Sequence, residues 1–120
     1  MGIRHGLFSN PMSEDPQGAI NFIRDNATAI AKARAERVYL EEFKKTQRAL
    51  LMKEAEEAGA GALAAQERDA LAHPKYIEVL NGLKVAVENE EKLRWLMVAA
   101  QVKIEVWRSY EASKRAEMNL

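Results

Sequence analysis

Residues 93–107, LRWLMVAAQVKIEVW, place eleven apolar side chains in fifteen positions, and those side chains fall on more than one face of a helix. Leu93, Met97, Ala100, Ile104 and Trp107 follow one stripe at spacings of three and four, and Trp95, Val98, Val102 and Val106 follow a second. One partner helix cannot cover both stripes. The run therefore predicts a helical assembly in which the second stripe meets another surface, most simply that of a second copy of the same chain.

The rest of the chain fits this reading. Residues 1–15 are punctuated by Gly, Pro, Asn and Ser and hold no period, so they read as an irregular arm ahead of a single helical domain over 16–120. Asp15 is placed to cap a helix whose first residue is Pro16, because proline at that position loses no hydrogen bond. Ile20, Ile23, Ala27, Ile30 and Ala31 then recur at helical spacing, followed by Ala35, Val38, Tyr39, Phe43, Thr46 and Leu50 on a face rotated from the first. That drift predicts a bend or a change of packing partner.

Gly59 and Gly61 end this helix, and a short helical piece is expected from about Leu63 to Leu71. His73-Pro74 breaks it, since the residue before proline is pushed out of the helical region. Pro74 opens a second long helix to about Ala116, with Tyr76, Val79, Leu80, Leu83, Ala86, Val87, Leu93, Met97, Ala100, Ile104 and Trp107 in near-heptad spacing. The expected fold is all-α: two long helices joined by a glycine-containing link and a short helix, an antiparallel hairpin or coiled-coil-like bundle completed by oligomerisation. Glu90 falls on the same seam line. Either the seam opens to water there, the reading that the cost of burying a charge favours, or Glu90 sets the register by pairing with a basic residue of a partner helix.

Composition narrows the chemistry. The 120 residues carry 18 basic and 18 acidic side chains, so the net charge favours neither polyanions nor polycations as partners. The absence of cysteine removes disulfides and thiolate chemistry. No secretory signal is visible, Gly6 stands where the myristoylation pattern asks for Ser or Thr, and the 93–107 run is too short and too charged to span a bilayer. These features predict a soluble, cytoplasmic protein with no membrane association.

Catalytic and metal motifs are weak. Gly59, Gly61 and Ala64 mimic part of a dinucleotide fingerprint, but they follow a helical segment where that motif needs a strand, so a helix cap and link is the better account. His5 and His73 are too few for a zinc site, there is no Glu-x-x-His pair, and Pro74 marks His73 as a helix-end residue. No enzyme activity, metal or cofactor is expected.

The strongest functional feature is electrostatic. Arg34, Arg37, Lys44, Lys45 and Arg48 fall within an arc of roughly 100° on the first long helix, at 100° per residue. If Tyr39, Phe43, Thr46 and Leu50 pack inward, this stripe faces outward with few of its charges neutralised, as phosphate binding requires. The competing reading is an ordinary solvated face laced by pairs such as Glu41–Lys45. Trp95 and Trp107 lie in the apolar run and are expected in a core or interface, leaving Tyr110 as the more exposed aromatic.

The runs YLEEFKKTQRALLMKEAEEAG at 39–59, AAQERDALAHPKYIEVLNGL at 64–83 and LRWLMVAAQVKIEVWRS at 93–109 resemble small helical proteins encoded by bacteriophages and prophages. The resemblance covers most of the chain after residue 20 and carries no catalytic motif. It implies a phage-type accessory protein in the host cytoplasm, working near recombination or replication. Two functions then stand side by side. One is a homodimeric or larger helical protein that binds DNA or a DNA-processing partner through the basic stripe, with Trp95, Val98, Val102 and Val106 at the oligomer interface. The other is a structural adaptor that binds another protein and no nucleic acid.

Overall fold

The computed structural model describes residues 15–120, all three of whose regular elements are helices: α1 (Gln17–Glu57), α2 (Leu63–Leu71) and α3 (Pro74–Met118). The irregular arm expected over 1–15 lies outside the described residues except for Asp15. There the N-cap forms as read: Asp15 Oδ1 accepts from the Gln17 N–H at 2.8 Å, and the Pro16 carbonyl accepts the Ile20 N–H at 3.0 Å.

α1 stops through a glycine. Gly59 takes φ +111°, its N–H bonds the Glu56 carbonyl at 3.1 Å, and the Ala60 N–H reaches back to Ala55 at 2.9 Å. This is a Schellman closure, which requires the left-handed region that a residue with a Cβ rarely enters. The link that follows is pinned by Gln66, a buried polar side chain whose Nε2 donates to the Ala60 carbonyl at 2.9 Å.

α2 ends at Leu71 and His73 caps α3. The His73 carbonyl accepts the Tyr76 and Ile77 N–H groups at 3.0 and 3.1 Å, while its Nδ1 accepts the Lys75 N–H at 3.0 Å. An accepting Nδ1 places the imidazole proton on Nε2, which stands 3.8 Å from Glu54 Oε1. The helix-end reading of His73 holds, and the residue ties α1 to the start of α3.

Packing divides the molecule into two units, one of Ala29–Lys92 and one that joins the described residues up to Thr28 with Leu93–Leu120. In the first, the arms of α1 and α3 run antiparallel: Arg37 meets Glu90, Leu40 faces Gly82, and Glu54 lies beside His73. Its buried apolar residues are Ala33, Leu51, Ala70, Val79 and Ala86; those of the second unit are Ala19 and Ala100.

On α3 the less exposed positions are Tyr76, Leu83, Glu90, Met97 and Ile104, with Val79, Ala86, Leu93, Ala100 and Trp107. They form a heptad seam, as the spacing predicted, except that Leu80 and Val87, expected with them, stand 39% and 38% exposed. On α1 the expected face is corrected. The seam runs through Ile23, Ile30, Arg37, Lys44 and Leu51, with Ala19, Asn26, Ala33, Leu40 and Gln47. Val38, Tyr39 and Leu50 stand 44%, 59% and 55% exposed, and Thr46 is exposed too. The heptad of α1 therefore continues without drift. Arg37 and Lys44 can occupy seam positions because their aliphatic stems cover apolar surface while their charged ends reach outward.

Candidate functional site

Two features of the sequence bear on function, the basic stripe of α1 and the second apolar stripe of α3. The stripe was expected to face solvent with its charges free; Arg34, Lys45 and Arg48 are exposed as expected, but Lys45 and Arg48 meet carboxylates, and Arg37 and Lys44 are half-buried on the seam. Arg37 sits half-buried in the seam, where Nη2 donates to Glu90 Oε1 at 3.2 Å, Nε donates to Glu90 Oε2, and Nη1 donates to Glu41 Oε1 at 3.0 Å. The side chains of Arg37 and Glu90 are only 25% and 16% exposed. Hydrogen bonding by Glu90, then by Glu41, raises the Arg37 guanidinium further above the ordinary arginine range.

Arg48 pairs with Glu67 of α2, and Lys45 pairs with Glu42 at 3.3 Å. Arg34 is exposed and Lys44 is half-buried, with no ion pair of either among the described residues. Arg37 and Arg48 thus help hold α1 to α3 and α2, whereas the Lys45–Glu42 pair lies within α1 itself. Glu90 is not an opening of the seam to water: it takes the register-setting role, with a basic partner supplied by this chain's own α1. The signal for this was the heptad from Ala19, which puts Arg37 on the seam opposite Glu90.

The second apolar stripe has no such partner among the described residues. Counted in heptads from the seam, Trp95 and Val102 take the position diametrically opposite it, and Val98, Ala99 and Val106 flank that position. Trp95 is 59% exposed, Val102 54% and Val106 38%, while Val98 is half-buried. Earlier in the same helix the equivalent outward positions carry Asn81, Lys84, Glu88 and Glu91 but also Ile77 and Val85, 46% and 65% exposed. The apolar outward face of α3 is densest over 95–106. Arg94 lies over the Trp95 ring at 4.5 Å from its centroid. Tyr110, expected to be the more exposed aromatic, is half-buried with Lys114 Nζ 5.5 Å from its ring centre.

A shallow groove of about 410 Å³ lies in the Ala29–Lys92 unit beside Gly82, floored by Leu40 and Val79 and walled by Tyr39 and Phe43, whose rings stack at 5.8 Å. Gln47, Lys75 and Glu78 form its polar rim. None of these groups is a nucleophile paired with a base, so the groove offers contact surface and no recognisable reaction chemistry. Among the described residues no cluster of three His, Cys, Asp or Glu side chains is placed to hold a metal, and no helix is long and apolar enough to cross a membrane. No protein-family model, curated protein or solved structure matches the chain.

Proposed function

We propose that this protein is a non-catalytic helical adaptor that works by binding protein through the outward apolar faces of its long helices. The observation that carries this reading is an inversion of size. The buried apolar residues are Ala19, Ala33, Ala70, Ala86 and Ala100 with only Leu51 and Val79 larger, whereas Trp95, Val102, Val85 and Tyr39 stand more than half exposed. The large seam residues, Ile30, Leu40, Leu83, Met97, Ile104 and Trp107 among them, are only half-buried, so the seam leaves apolar area uncovered. Large side chains held outside such a seam are the kind of surface that marks protein–protein contact. An accessory role of this type also fits the resemblance to phage-encoded helical proteins.

Nucleic-acid binding through the basic stripe is the weaker reading, because Arg37, Lys45 and Arg48 already meet carboxylates. A polyanion would have to displace those pairs before releasing counterions of its own. Fluorescence anisotropy with labelled single- and double-stranded DNA across a salt series tests the choice. The adaptor reading expects no salt-sensitive affinity at micromolar protein. Binding that weakens with salt and is lost on charge reversal at Arg34 and Lys44 would replace it with the nucleic-acid function.

A further inference from the structure

Resting on the reading that the outward faces bind protein, we infer that the Trp95–Val106 face of α3 is a contact between two copies of this chain, packed antiparallel about a two-fold axis near Ala99. The face is self-complementary in the sense an isologous contact requires: its centre is Val98, Ala99 and Val102, and Trp95 and Val106 stand at its two ends. Under the axis, the indole of each copy lies over Val102 and Val106 of the other.

The flanking charges choose the direction. When two helices pack antiparallel, like flanks meet, so Arg94 of each copy faces Glu105 of the other. In a parallel pair, opposite flanks meet instead. That takes Glu105 away from Arg94, so the pair across the axis is lost. Arg94 and Glu105 lie on one flank of the same helix with opposite signs on either side of the centre, the pattern a second antiparallel copy satisfies. The Glu105–Arg108 pair within the chain, at 3.2 Å and about two-thirds exposed on both sides, is weakly held and can yield to the contact across the axis.

Sedimentation of the full chain measures the association. A dimer with a dissociation constant in the micromolar range is expected, as befits a contact of one helix face per copy. Val102→Glu should raise that constant at least tenfold with helicity unchanged, since Val102 is 54% exposed within the chain and carries none of its seam. Should that variant lose helicity, the charge pair supplies the test: Arg94→Glu weakens association several-fold, and adding Glu105→Arg restores it.

Orientation is read by cysteine cross-linking, which the absence of native cysteine makes clean. Arg94→Cys mixed with Glu105→Cys should give the mixed disulfide. Arg94→Cys alone should not link, its two thiols being eleven residues, about 17 Å, apart along the helices. A wild-type protein that stays monomeric at several hundred micromolar, or Arg94→Cys that links to itself as readily as in the mixture, overturns the proposal. DNA affinity in an intact dimer would overturn the functional reading alone, and a monomer without DNA affinity would overturn the dimer alone.

Discussion

Arg37 and Glu90 face each other from α1 and α3 at seam positions that a stronger coiled coil would fill with Leu or Ile, and the bidentate geometry with Glu41 behind it satisfies the guanidinium on both sides. A charged pair of this kind contributes more to register than to stability, because sliding α3 by one heptad would set Arg37 against Leu83 or Met97 and strand both charges. Glu90→Ala should therefore destabilise by about 1 kcal/mol in urea denaturation, through the loss of Arg37's partner. Arg37→Leu with Glu90→Leu should recover the midpoint of the native chain or exceed it. A double variant as unstable as Glu90→Ala would show that the pair supplies stability itself. The pH sign is fixed by the raised Arg37 value: its stabilisation is fully present below the ordinary arginine range and is lost only as pH rises through the higher folded value. From the Arg37 side, the pair is insensitive to pH near neutrality.

At the scale of elements, the helices are set by their ends. Asp15, Gly59 and His73 each supply a backbone partner or conformation that the helix body cannot supply for itself. Gly59 is the most exacting, since its φ of +111° is refused by L side chains even though a Cβ there would meet open space. Gly59→Ala should cost about 1 kcal/mol in denaturant unfolding. Gly61, with no positive φ and open space around its Cβ position, should accept alanine without loss. Equal costs at the two glycines would contradict the Schellman assignment. The three boundaries were legible in the residues because caps are local: proline, glycine and a carboxylate act on the two or three peptides beside them. The choice of face on α1 was not. Val38, Tyr39 and Leu50 stay exposed and Phe43 is half-buried, and only the positions of Glu90, Val79 and Gly82 on the opposing helix decide that Arg37, Leu40 and Lys44 pack inward.

For the whole molecule, the proposed contact between copies would couple stability to association. Leu40, Leu83, Met97 and Ile104 are only half-buried in the seam and Trp95 and Val102 stand more than half exposed, so a contact that covers the latter two removes further apolar area from water. The melting temperature followed by circular dichroism should then rise by several degrees between low and high micromolar protein, as mass action requires when the folded chain associates and the unfolded chain does not. A melting temperature independent of concentration would place the whole stability of the fold within one chain. The spectrum itself should be that of a helical protein.

Helix content, the turn at Gly59, the break at His73-Pro74, the heptad of α3 and the surplus of apolar residues over 93–107 follow from the chain read by itself, because periodicity and capping depend on neighbours at most four residues away. Which face of α1 packs, and therefore whether Arg37 and Arg48 offer charge to solvent or spend it on Glu90 and Glu67, was decided only by tertiary structure. The physical reason is amphipathic ambiguity. Arginine and lysine carry enough methylene to sit in a seam and enough charge to sit outside one, so their place is chosen by the carboxylate across the interface, not by their own position in the sequence.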